Sequence, residues 1–216
     1  MKRIISPSLL AADFSDLRSE FEIINNSKAD WLHIDVMDGV FVPNISFGFP
    51  IMEVAKKYCK KSLDVHLMIV EPEKYIERFV KAGAETLTVH LETLKNPIST
   101  LREIKKMGVR TGITINPDVP ISSLKHLVGE TDMVLLMSVF AGYGGQKFIK
   151  ETYSRIAELK TIIEDENPDC LIEIDGGVSP ENARSLFDAG VHILVAGSSV
   201  FNSEYPQKTI EDMLTC

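Results

Sequence analysis

Eight short runs of aliphatic and β-branched residues, separated by longer stretches of helical periodicity, restrict the fold of this chain more than any other feature. They occupy residues 3–8, 31–36, 62–68, 86–91, 110–115, 133–139, 171–175 and 193–196. Runs this short, bounded by turn formers, read as strands. Strands that alternate with helices need crossover connections and therefore lie parallel. Eight such units in 216 residues match a single-domain (β/α)8 TIM barrel over residues 1–216. A doubly wound open sheet is the alternative. Helical patterns at residues 72–82, 97–107 and 180–189 each begin with a proline, which suits a first helical turn. Gly83, Gly108 and Gly190 follow them, where a left-handed residue closes a helix. No linker or low-complexity tract divides the chain.

Three of the runs carry ionisable residues two apart: His33 and Asp35 in WLHIDVMDG, Asp64 and His66 in SLDVHLM, Glu173 and Asp175 in LIEIDGG. Side chains two apart on a strand share a face. In a barrel, chemistry gathers at the C-terminal strand ends, so His33, Asp35, His66 and Asp175 would meet at one mouth. Any one of them alone reads better as a satisfied core histidine or a turn-forming acid. Together they form a mixed nitrogen and oxygen donor set suited to one divalent ion, with zinc, iron or manganese favoured over magnesium. Two aspartates flanking a substrate could also act as base and acid beside a carbonyl. Glu173 and Asp64 would orient the metal ligands or pair inside the barrel. His90 and Glu92 share a face in TVHLE and read as a buried hydrogen-bonded pair. Met37, Met68 and Met137 read equally as barrel packing or as an apolar floor beneath a substrate.

Glycine-rich segments follow the last three strands: GYGGQ from Gly142, Gly176-Gly177, and Gly197-Ser198. A tight turn explains any one glycine pair. Three such segments at the late strands favour a phosphate site built from backbone N–H groups and a short helix N-terminus.

A formal net charge of −8 and the lack of a Lys/Arg cluster argue against nucleic acid or an anionic membrane as partner. No apolar stretch approaches the length of a spanning helix, and Pro7 and Asp13 interrupt the start of the chain before a signal sequence develops. Cys59, Cys170 and Cys216 lack disulfide or zinc spacing. A reduced, cytoplasmic setting is expected, and association into a homo-oligomer is expected of a barrel enzyme.

The segments ISPSLLAADF, WLHIDVMDGVFVPN, LDVHLM, AGAETLTVHLE, MSVFAGYGGQKF, IEIDGGV and VAGSSVF, in that order, resemble the ribulose-phosphate 3-epimerase family across nearly the whole chain. The resemblance implies a (β/α)8 barrel that binds one catalytic divalent metal through His33, Asp35, His66 and Asp175. It implies Asp35 as proton acceptor and Asp175 as donor, exchanging roles in reverse. Ser8 and His66 would contact the sugar. Gly142, Tyr143, Gly144, Gly145, Asp175, Gly176, Gly177, Gly197 and Ser198 would surround substrate and phosphate. The implied reaction inverts C3 of a ketose phosphate, D-ribulose 5-phosphate to D-xylulose 5-phosphate, through a cis-enediolate. The same chemistry on D-allulose 6-phosphate and a non-catalytic sugar-phosphate binding barrel are the alternatives. Two positions depart from the family's usual wording: SVFAGYGGQ stands where SVNPGFGGQ is usual, placing Phe140 and Ala141 at an Asn-Pro pair, and Val40 replaces a basic or imidazole side chain.

Overall fold

A computed structural model describes residues 2–216. The strands are β1 (Ile4–Pro7), β2 (Trp31–Met37), β3 (Ser62–Met68), β4 (Thr86–His90), β5 (Arg110–Ile115), β6 (Met133–Met137), β7 (Leu171–Asp175) and β8 (Ile193–Ala196). They pair in parallel in one sheet, in the order β1-β8-β7-β6-β5-β4-β3-β2. A parallel bridge between Ser8 and His33 joins the two ends, so the sheet closes as a barrel and the doubly wound alternative is excluded. The helices are α1 (Leu17–Asn25), α2 (Phe49–Tyr58), α3 (Ile76–Lys81), α4 (Pro97–Lys106), α5 (Thr152–Glu166), α6 (Pro180–Asp188), α7 (Ser198–Phe201) and α8 (Pro206–Thr215).

The period of two in each strand divides the core. Leu32, Ile34, Val65, Leu67, Leu87 and Val89 point outward and pack with Phe21, Met52, Phe79 and Leu101 of the helices. The intervening residues fill the barrel. Ile4, Trp31, Met133 and Ile193 form an apolar plug at one end, and the Arg110 guanidinium lies 4.7 Å over the Trp31 ring. Above this plug the interior is polar, with Ser6, His33, Asp64, Thr88 and Glu173 fully buried. Apolar residues thus seal one end and leave the ionisable ones at the other.

Some boundaries differ from expectation. The helix expected over 72–82 is a 3-10 turn at Pro72–Lys74 followed by α3, the break falling at Tyr75, whose φ of −122° lies outside the helical region. The β5–β6 crossover has only 3-10 turns, Ile121–Leu124 and Val128–Glu130, in a segment where Pro117 and Pro120 each remove a backbone donor. The run expected over 133–139 leaves the ladder after Met137. Gly83, Gly108 and Gly190 take positive φ at the expected helix ends. Among the described residues no helix is long and apolar enough to cross a membrane.

Candidate active site

The β2–β3 register places ionisable groups opposite one another. His33 is the ladder partner of Asp64, and Asp35 that of His66. The lower pair is joined by a contact of 2.7 Å from His33 Nδ1 to Asp64 Oδ2, and the upper by one of 3.1 Å from His66 Nδ1 to Asp35 Oδ1. Asp175, ending β7, comes within 3.7 Å of His66 Nδ1. One donor atom from each of His33, Asp35, His66 and Asp175 lies within 4.8 Å of all the others. His33 Nε2 is buried without a hydrogen bond, 3.2 Å from Asp35 Oδ1. A buried imidazole nitrogen aimed at two carboxylates and a second imidazole fits a divalent ion in both charge and donor type. Asp64 occupies the other ring nitrogen, as a carboxylate that orients a histidine ligand does, and itself accepts from Ser6 Oγ at 3.2 Å.

The two aspartates are poised differently. Burial works to raise the Asp35 carboxyl, but the charges and hydrogen bonds of His33 and His66 overcome it and hold Asp35 below its usual range. Ser8 Oγ also donates to its Oδ2 at 2.6 Å. Burial, reinforced by the charge of Asp35, pushes Asp175 up to about 7. Burial and then Asp64 push Glu173 well above the carboxylate range. His33 is raised against its own burial by Asp35 and Asp64, whereas burial lowers His66 and brings His90 to about 4.

A cavity of about 770 Å³ opens at this mouth. Ser8, Asp35, Asp175, Gly142, Tyr143, Gly144, Gly145, Gly176, Gly177, Gly197 and Ser198 all line it, as do Met37, Met68 and Met137. His33 and His66 are fully buried and do not. His66, expected to touch sugar, is buried in contact with Asp35 and outside the cavity lining. Four of the glycines, Gly142, Gly145, Gly176 and Gly177, take positive φ and are required by the backbone whatever the ligand. Gly176 and Gly177 have φ of 119° and 62°, and a Cβ on Gly177 would sit 2.4 Å from the Phe148 nitrogen. Sequence reasoning passed over Asn44, Ser179 and Asn202 in the same wall, none of which lies in a strand.

A sequence profile described as the ribulose-phosphate 3 epimerase family matches residues 4–201. Ribulose-phosphate 3-epimerase from Synechocystis is 45% identical over 202 residues, covering 93% of this chain and 88% of the relative. The chain belongs to the ribulose-phosphate 3-epimerase family. The Bacillus subtilis ribulose-phosphate 3-epimerase is 43% identical, with 97% of each chain covered, and the chloroplastic ribulose-5-phosphate-3-epimerase of Arabidopsis thaliana is 40% identical, covering 93% and 72%. Among solved structures, a tryptophan synthase alpha-subunit variant from Pyrococcus furiosus superposes with a TM-score of 0.73 at 16% identity, covering 100% and 98%. The 3-hexulose-6-phosphate synthase from Salmonella typhimurium gives 0.70 at 16%, covering 100% and 97%. At that identity the likeness is one of fold alone.

The loop after β6 is stitched to the rest of the mouth: Asn44 Nδ2 donates to the Gly142 carbonyl at 2.9 Å, Tyr143 Oη to the Pro43 carbonyl at 2.8 Å, and the Ala141 N–H to Asn116 Oδ1 at 3.0 Å. Phe140 stays half exposed. The expected His90–Glu92 hydrogen bond is not formed. Glu92 lies past the end of β4 in a 3-10 turn, where the alternation of faces no longer holds, and its Oε2 is 3.5 Å from His90 Nδ1. His90 instead meets His66, Nε2 to Nε2, at 2.9 Å.

Proposed function

We propose that the chain interconverts D-ribulose 5-phosphate and D-xylulose 5-phosphate by proton transfer at C3, with Asp35 and Asp175 as the catalytic pair. The observation that carries this reading is their opposite poise on the wall of one cavity. Asp35, held ionised by its imidazole and Ser8 partners, is suited to take the C3 proton. Asp175, with its carboxyl near 7, is suited to return one from the other side. Reversal exchanges the roles.

His33 through Nε2 and His66 through Nδ1, with Asp35 and Asp175, would hold one divalent ion, zinc, iron or manganese. Bound there, such an ion supplies positive charge to the substrate oxygens as the enediolate develops. The chain's own residues do the rest. Ser8 fixes one Asp35 oxygen, Met37, Met68 and Met137 give the cavity an apolar floor that excludes water, and the glycine segments after β6, β7 and β8 leave room for a phosphate beside backbone N–H groups. The proposal includes a cytoplasmic location and self-association. Val40 and Ile45, 71% and 75% exposed on the loop after β2, are apolar surface that a second copy would cover.

Proton NMR of D-ribulose 5-phosphate and, separately, D-allulose 6-phosphate in deuterated water tests the reading. Deuterium entering C3 of the pentose phosphate as the epimer forms, lost on chelation and restored by metal, is the expected result. Faster exchange on the hexulose phosphate moves the substrate to that compound. No exchange on either by folded, metal-loaded protein sinks the proposal.

A further inference from the structure

His66 and His90 meet edge to edge, with ring centroids 5.0 Å apart and planes 24° apart, their Nε2 atoms facing at 2.9 Å. Two imidazole nitrogens at that distance share one hydrogen, so one ring donates and the other accepts. On the far side of His66, Nδ1 is 3.1 Å from Asp35 Oδ1. On the far side of His90, Nδ1 is buried without a hydrogen bond, 3.5 Å from Glu92 Oε2. Glu92 Oε1 in turn accepts from both the backbone N–H and the side-chain Nδ2 of Asn116 at 2.9 Å, and Asn116 Oδ1 accepts from the Ala141 N–H of the loop after β6. A continuous line of polar contacts therefore runs from Asp35 through both imidazoles to that loop.

We propose that His90 and Glu92 are positioning residues that set the tautomer of His66, and that the hydrogen shared by the two imidazoles reverses direction when a divalent cation binds. The inference rests on the assignment of His66 Nδ1 as a metal ligand. In the metal-free protein His66 Nδ1–H donates to Asp35, and His66 Nε2 accepts from His90 Nε2–H. His90 Nδ1 then turns a lone pair toward the Glu92 carboxylate, 3.5 Å away. To ligate, His66 Nδ1 must offer its lone pair, so the His66 hydrogen resides on Nε2 and donates to His90 Nε2. The His90 hydrogen then resides on Nδ1 and donates to Glu92 Oε2. Each ring carries one hydrogen before and after, and the pair gains and loses none. An outer-shell carboxylate conventionally holds a metal-bound imidazole in the ligating tautomer directly. Here the carboxylate acts through a second histidine, and Asn116 holds it in place.

The test is an imidazole nitrogen–proton correlation spectrum of the full-length, 15N-labelled protein, chelated and then loaded with one equivalent of zinc. Zinc affinity by chelator competition is measured alongside for the parent and for Glu92→Gln. The expected result is a His90 hydrogen on Nε2 without zinc and on Nδ1 with it. Glu92→Gln, whose amide can donate to the His90 Nδ1 lone pair and so favours the metal-free arrangement, should bind zinc roughly ten- to a hundredfold more weakly with an unchanged circular dichroism spectrum. Should that variant fail to fold, the parent spectra decide alone. The same His90 tautomer in both states, or a folded Glu92→Gln that binds zinc as tightly as the parent, overturns the inference while leaving the metal site standing. A parent protein that binds no zinc overturns both.

Discussion

Tyr143 and Pro43 meet across the barrel mouth, the phenolic hydroxyl donating to the proline carbonyl at 2.8 Å across 100 positions of sequence. Both loops border the cavity, so this bond, with the one from Asn44 to Gly142, holds a wall in place. Tyr143→Phe removes one hydrogen bond, worth about 1 kcal/mol, and keeps the ring. KM for the pentose phosphate should rise about fivefold on that figure, with kcat changed less and the melting temperature nearly unmoved. Steady-state kinetics beside a thermal melt measures this, and an unchanged KM would show that the latch does not bear on binding.

Asp35→Asn and Asp175→Asn each leave a side chain of similar shape but without a transferable proton of the right strength. Turnover should fall by at least about a hundredfold in either variant, the lower end of what general acid–base catalysis contributes. Near-unchanged circular dichroism would separate this from unfolding. Full activity in either pure variant would remove that residue from the proton-transfer pair.

The strands and the cluster of His33, Asp35, His66 and Asp175 were legible because both follow from alternation: an apolar period marks the strand, and the same period puts His33 with Asp35 on one face. What lay beyond was governed by features without a local signature. Alternation misled at Glu92, because β4 ends at His90 and the next residues turn. The His66–His90 contact depends on ring rotation and on how β3 and β4 register, with His66 opposite Thr88 rather than His90. Whether His66 would line the cavity was likewise a matter of packing depth, not pattern. The latch between Tyr143 and Pro43 joins two irregular loops, and no periodicity relates them. The helix absent between β5 and β6 was the more readable omission, since two prolines interrupt that stretch.

Asp64 touches neither cavity nor substrate, yet its 2.7 Å contact with His33 Nδ1 fixes which nitrogen of that ring faces Asp35. Asp64→Asn replaces an acceptor by an amide that can present either end. Metal affinity should drop about ten- to a hundredfold, the range found for outer-shell partners, while the variant saturated with metal regains much of its turnover. Chelator competition and kinetics at high metal concentration measure the two parts. Loss of activity that excess metal does not restore would place Asp64 in a role other than orienting His33.

The Asp175 carboxyl, pushed from 3.8 up to about 7 by burial and by Asp35, gives the metal-free protein a pH dependence of definite sign. A folded-state value above the unfolded one means that the folded chain holds this proton more tightly. The associated stability is complete below about 3.8 and is lost as pH rises through about 7. Between pH 5 and 8 the chelated parent should therefore lose thermal stability relative to Asp175→Asn, which has no such proton to lose. Metal binding has the opposite slope, because the ligating carboxylate must be ionised. Apparent affinity should climb by at least about tenfold per pH unit below 7 and go on rising above it, because the His33 proton, held by Asp35 and Asp64, must leave as well as that of Asp175, so that more than one proton is released per ion bound. Calorimetry in buffers of differing ionisation enthalpy counts those protons. A flat affinity across the window would mean that Asp175 is already ionised in the metal-free protein, and its assignment as the proton donor would lose the property that supports it.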